Sequence, residues 1–209
     1  MKREILRNPT YLTKTELKKL FAALEEQLKE DGMRKKAPLL YSSLMLRAII
    51  HLLYATGLRN AEIRLLKTND IDLQQMRGTI IGKGGKYNNF TFHAHAKKML
   101  TAFLDFKKRL FSHKKYTSEY LFTGMYRASP LTATGLNSAL RKIGEKAGIE
   151  KKLHAHVFRH TCATHLLDNG AHIREVQEKL RHVNLETTAL YTHVSNGRLA
   201  ELTQGLMVD

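Results

Sequence analysis

The chain has 209 residues, with 35 Lys and Arg against 19 Asp and Glu, and a net charge of +16 at neutral pH. That length supports one good-sized domain with a real core, or two small ones, and the charge points to a polyanion, most simply nucleic acid. One cysteine excludes an internal disulfide, the opening MKREILRNPTYL lacks a signal peptide's apolar core, and no basic amphipathic anchor or apolar run of about 18 residues addresses a membrane, so a cytoplasmic, nucleoid-associated protein is expected.

Residues 1–9 read as a tail or linker. Thr13 or Thr15 caps a first helix running to about Lys29, with Leu17, Leu20, Phe21, Leu24 and Leu28 on one stripe. Asp31 to Pro38 is polar, holds Gly32 and Pro38, and reads as a loop. Leu39 to Ala55 is apolar nearly all round, which predicts the central buried helix, ended by Gly57. Arg59 opens the next helix, Asn60 to Leu66. Taken alone, Arg59 reads as a surface charge paired with Glu62 at i,i+3, or as a placed one.

The period changes between Asn69 and Phe92. Gly78 to Gly82 and Tyr87 to Phe92 predict two strands around a glycine-rich turn, with Lys83 at the end of the first. The run GKGGK is not a phosphate-binding P-loop, because the following Ser/Thr and helix are missing. Ala94 to Phe111 predicts an amphipathic helix with basic ends, Ser112 to Glu119 a polar loop, and Tyr120 to Phe122 a short extended segment.

Thr132 or Thr134 caps a helix to Ala147, closed by Gly148. It carries Arg141, Lys142 and Lys146, either a phosphate-contacting face or a solvated one. Helices follow over His154 to Asp168 and Ile173 to Leu180, and Asn184 caps one bearing Tyr191. Leu199, Leu202 and Leu206 form a narrow apolar stripe that must be buried on this chain's core or a neighbour's. The whole is mainly α, with a small antiparallel β-hairpin sheet, an α+β fold.

Residues 153–194 concentrate the chemistry. His156 and Arg159 stand three apart on a helix and project from one face. His182 follows at a helix end, and Tyr191 nine residues later. Arg grips two phosphate oxygens with a planar fork. A neutral His accepts a proton, or donates to a non-bridging oxygen. Tyr can act as a nucleophile. His156 and His160, at i,i+4, have zinc-chelating spacing, but no Glu follows the first and Arg159 would put a cation beside the metal. No metal or cofactor is expected. Cys162 reads as a small buried hydrophobe, His160 and His165 suit a core, and His154 and His193 suit structural roles.

These boxes resemble the tyrosine recombinases, also called the phage integrase family. His156-x-x-Arg159-His160, Leu180-Arg181-His182 and Tyr191-Thr192-His193 are similar to that family's C-terminal boxes. Thr56-Gly57-Leu58-Arg59-Asn60-Ala61-Glu62 resembles its first arginine box, and Gly82-Lys83-Gly84-Gly85-Lys86 its β-hairpin lysine box. The likeness covers roughly residues 10 to 200, and its five boxes stand in the family's order.

The resemblance implies a catalytic domain over residues 10–209 and an enzyme that joins Tyr191 to a 3′-phosphate. Arg59 and Arg159 would grip the phosphate, Lys83 would protonate the leaving 5′-oxygen, and His156 would act as base or orienter. His182 would hydrogen-bond the phosphate, with Glu62 as the acidic residue behind Arg59. Lys86, Arg141 and Lys142 would contact double-stranded DNA. A homotetramer on two DNA sites, joined through the C-terminal helix, is expected. Arg181 stands where the family usually has glycine, and Asn88 where a basic residue is common. No room precedes residue 10 for the helical core-binding domain of most members, which implies a naturally short member or a catalytic fragment. Rival readings are a non-catalytic DNA-binding relative and a strand-relaxing enzyme of the type IB topoisomerase kind.

Overall fold

The computed structural model describes residues 11–82, 85, 87–112 and 118–180. Helix α1 (Lys14–Met33) starts at a capping box, in which Thr13 Oγ1 accepts from the Glu16 N–H and Glu16 reaches back to the Thr13 N–H. Leu17, Leu20 and Leu24 are buried, and Phe21 and Leu28 pack beside them. Helix α2 (Ala37–Thr56) follows after three residues, so the expected loop over 31–38 is mostly helix. Pro38 sits in the first turn of α2, where a missing N–H costs nothing.

The fold is built around α2. Its window of mean hydropathy 1.4 is long and apolar enough for a membrane span, contrary to expectation. That apolar surface is spent inside the protein, because 78% of the window is buried. Helices α1, α4 (Ala94–Phe111), α5 (Ala133–Lys146) and α6 (Ala155–Asp168) all pack on it. Tyr41, Ile50, Leu53, Phe103, Phe122 and Phe158 are fully enclosed, and burial of each such side chain stabilises by roughly 1.5–3 kcal/mol.

Gly57 ends α2 with φ +61°, the left-handed conformation that a side chain resists. Short helix α3 (Asn60–Leu65) follows, then a 3-10 turn over Thr68–Asp70. The sheet is antiparallel in the order β1 (Ile71–Asp72), β2 (Arg77–Ile81), β3 (Tyr87–Thr91), with Ile81 opposite Tyr87 and Gly78 opposite Phe90. Both predicted strands are present within a residue, and β1 adds a third. The Tyr120 segment makes isolated bridges, Lys67 to Tyr120 and Thr123 to Pro130. Thr132 caps α5, its hydroxyl accepting from the Gly135 N–H. Helix α7 (Ile173–Leu180) closes the described chain.

Long-range polar contacts stitch the layers. The Leu12 N–H donates to Thr161 Oγ1 of α6 at 2.9 Å, across 149 residues. Lys151 Nζ donates to the Tyr11 carbonyl and to Glu16 Oε2. Tyr54 of α2 meets His165 Nδ1 of α6 at 3.0 Å. Cys162 is buried, as its apolar surroundings suggested, and so is His165, whereas His160 is exposed and is no core residue.

Candidate active site

Arg59 is the N-cap residue of α3, set there by the left-handed turn at Gly57. Its backbone N–H and its Nη1 both donate to Glu62, at 2.7 Å each. The Glu62 side chain is only 9% exposed, while that of Arg59 is 37% exposed. A nearly buried carboxylate thus fixes the root and the head of a cation that still reaches solvent.

Arg159 projects from α6 toward the same turn. Its Nη1 donates to the Gly57 carbonyl at 2.7 Å, and its Nη2 donates to the Leu180 carbonyl at the end of α7. Arg159 is 7% exposed, and two carbonyl oxygens orient its guanidinium. A Cβ on Gly57 would clash with Leu180 Cδ2 and lie 3.6 Å from Arg159 Cγ. Glycine is therefore needed here twice, for its φ and for the close approach. The two arginine boxes, remote in sequence, meet at one turn.

His156 lies three residues before Arg159 but is exposed while Arg159 is buried, so the expected common face is split between solvent and core. The His156 ring stands 6.1 Å from that of His154, edge to face. Burial, then the charges of His156 and His160, lower the His154 pKa. These imidazoles crowd the start of α6, where the helix dipole favours an anion.

The hairpin closes the other side. A cavity of about 480 Å³ lies between α3 and the strands, lined by Ala61, Glu62 and Leu65 on one wall and by Thr79, Ile80 and Tyr87 on the other. The lysine turn joins those strands, but Lys83 and Lys86 lie outside the described residues, as do His182 and Tyr191. Arg181, Asn184, His193 and the Leu199, Leu202 and Leu206 stripe lie outside them as well. Asn88 is half-buried on β3 opposite Ile80. Of the α5 cations, Arg141 is exposed beside Glu145 at 3.6 Å and Lys142 is exposed. Lys146 is drawn toward α1, pairing with Glu30 at 2.9 Å.

Sequence reasoning read Gly57 as a helix stop and as part of the first arginine box, but missed its carbonyl as an anchor for Arg159. It also missed Lys179, whose Nζ donates to the Thr91 carbonyl at 3.4 Å and ties α7 to the end of β3. A glycine two residues before the arginine of a box is a signal that could have found the first. The second leaves no pattern, because its acceptor is backbone.

Comparison with known proteins gives a consistent result. The family model described as the phage integrase family matches residues 10–198. A tyrosine recombinase XerC of Bacillus subtilis is 36% identical over 194 residues, covering 92% of this chain and 60% of the relative. A tyrosine recombinase XerD of Listeria innocua is 38% identical over 156 residues, covering 75% of this chain and 52% of the relative. The chain thus spans about 60% of the length of the XerC relatives it matches. Among solved structures, XerA recombinase superposes with a TM-score of 0.68 at 29% identity, over 94% of this chain and 64% of that one. XerH bound to its difH substrate also gives 0.68, at 26% identity over 88% of this chain and 50% of that one.

Proposed function

Because the chain belongs to the phage integrase family, the tyrosine recombinases, we propose that it is a site-specific DNA recombinase. It cuts and rejoins strands through a 3′-phosphotyrosyl intermediate, with residues 10–209 as its catalytic domain. The observation that carries this reading is the bond from Arg159 to the Gly57 carbonyl, which draws the second arginine box onto the turn that holds Arg59. Two positive groups converging on one turn form a cradle suited to a phosphodiester.

Each role follows from chemistry. Tyr191 Oη attacks phosphorus, forming a P–O bond to the protein as the bond to the 5′-oxygen breaks. The ester keeps the energy of the broken bond, so rejoining needs no ATP. A free phenol has a pKa of about 10, so attack at neutral pH needs a base or orienter, and exposed His156 is the candidate. Arg59 and Arg159 offset charge on the non-bridging oxygens as the pentacoordinate state forms. Lys83 protonates the leaving 5′-oxygen, and His182 hydrogen-bonds the phosphate. Glu62 orients Arg59 rather than touching substrate. Lys86, Arg141 and Lys142 supply contacts to the phosphate backbone. The charge of +16 suits double-stranded DNA, and the enzyme would work in the compartment that holds it. Four copies would synapse two sites, with the Leu199, Leu202 and Leu206 stripe docked on a neighbour.

The test is a covalent-adduct assay on a nicked suicide substrate. Tyr191→Phe is expected to abolish the adduct and leave DNA binding nearly intact. An adduct that persists in that variant overturns Tyr191 as nucleophile. Binding without an adduct in the unaltered protein would favour a non-catalytic relative, and relaxation of supercoiled DNA at any sequence a topoisomerase-like enzyme.

A further inference from the structure

Helix α4 carries a lysine that strand transfer does not use. Lys107 is half-buried, and its Nζ donates to the carbonyls of Tyr120 and Leu121, each at 2.9 Å. The same side chain lines a cavity of about 420 Å³ with Thr68, Leu104, Phe111 and Thr123. Burial pushes its ammonium group down to about 8. Lowering the pKa raises the share of neutral amine near neutral pH above that of an ordinary lysine. Both N–H groups of the neutral amine can stay on the two carbonyls. Its lone pair is left on the side away from them, a nucleophile already oriented.

We propose that Lys107 is an acyl-acceptor site, whose amine attacks the carbonyl carbon of a small acyl phosphate seated in the α4 cavity. Leu104 and Phe111 suit a short apolar acyl group. Lys108 supplies the positive charge for the phosphate, on a wall that also carries Asp105. The N–C bond forms as the bond from the acyl carbon to the bridging phosphate oxygen breaks. Inorganic phosphate leaves with that electron pair, and the extra proton on nitrogen passes to water. The product amide keeps one N–H and no charge, so one of the two carbonyls loses its donor.

That loss reaches the active site. The Leu121 N–H donates to the Leu66 carbonyl at 2.8 Å, and the Thr68 N–H to the Glu119 carbonyl at 2.9 Å. The 118–121 segment therefore straps down the end of α3, the helix that carries Arg59 and Glu62. Acylation of Lys107 loosens that strap.

The test incubates the full chain with acetyl phosphate at pH 7.5 and follows each lysine by peptide mass spectrometry. Lys107 is expected to be acetylated at least about tenfold faster than Lys98 and Lys108, exposed lysines of the same helix. The ratio should fall toward one in concentrated urea, where burial is lost. A Lys107 rate equal to or below those of Lys98 and Lys108 in the folded protein would overturn the proposal. So would a preference that survives in urea, since it would come from local sequence and not from the site.

Discussion

Glu62 holds Arg59 at both ends, taking its backbone N–H and its Nη1 at 2.7 Å each. One carboxylate thus serves as helix cap and as guide for a guanidinium. Glu62→Ala is expected to lower covalent-adduct formation by about 10²-fold, because a small misplacement of the cation is costly in the transition state. DNA affinity at equilibrium should change far less. The cap loss costs about 0.5–2 kcal/mol in stability. Glu62→Gln keeps an acceptor for the N–H and should recover most of the stability but not the rate. Adduct yield and denaturant midpoint, measured on the same samples, separate the two effects.

Gly57→Ala meets both a strained φ of +61° and the Leu180 side chain. The conformational part alone costs about 1–2 kcal/mol. The midpoint of urea unfolding should fall with an unchanged slope, and adduct formation should drop because Arg159 loses its seat. An unaltered midpoint would mean that the turn relaxes freely.

Arg159→Lys keeps a charge but not the fork that spans the Gly57 and Leu180 carbonyls. At least one of those buried acceptors is left unpaired, which costs about 1–3 kcal/mol. Adduct formation should be lost even though the formal charge is unchanged. Thermal unfolding and the adduct assay check the two parts separately.

Stability should fall in acid through His51 and His93, which both stand against His95. Burial, then the charges of His95 and Lys179, lower His93 to about 4, and burial with His95, His93 and Arg47 lowers His51 well below its usual range. Both groups bind protons more tightly when unfolded. Their stability is therefore present above about pH 6.5 and lost progressively as pH falls toward 4. For His93 the full span is on the order of 3 kcal/mol. His93 also caps α4, its Nδ1 accepting from the Ala96 N–H at 3.1 Å. His93→Asn retains a capping side chain and removes the titration, so the melting temperature should vary less between pH 7 and pH 5.

DNA affinity should fall steeply with salt, as lysines and arginines displace condensed counterions. A binding constant that is flat between low and moderate salt would count against the nucleic-acid assignment. Neutralising Arg141 and Lys142 together should reduce the slope by about 2 if both contact phosphate.

What could be read in the sequence was what repeats or clusters locally. The all-apolar run of α2, the stripe of α1 and the glycine turn between two strands each announced an element. The boxes around Arg59 and Arg159 pointed to one site before any coordinates. Pro38 misled, because proline reads as a breaker although the first turn of a helix accepts it. His160 misled too, since helical spacing does not say which side of α6 meets solvent. Apart from the threonine caps, side-chain-to-backbone bonds were hidden. Arg64 Nη1 donates to the Leu131 carbonyl, and Lys107 clasps Tyr120 and Leu121, yet a carbonyl has no letter in a sequence.

The bond from Leu12 to Thr161 sets an order of assembly. During synthesis, at about 5–20 residues per second, α1 leaves the ribosome about 7 to 30 s before its anchor in α6 exists. Its leucine stripe is covered first by α2 and then by α5. A nascent chain arrested between α2 and α5 is thus the form most open to chaperone capture, and Thr161 later stitches down the residue that leads into α1.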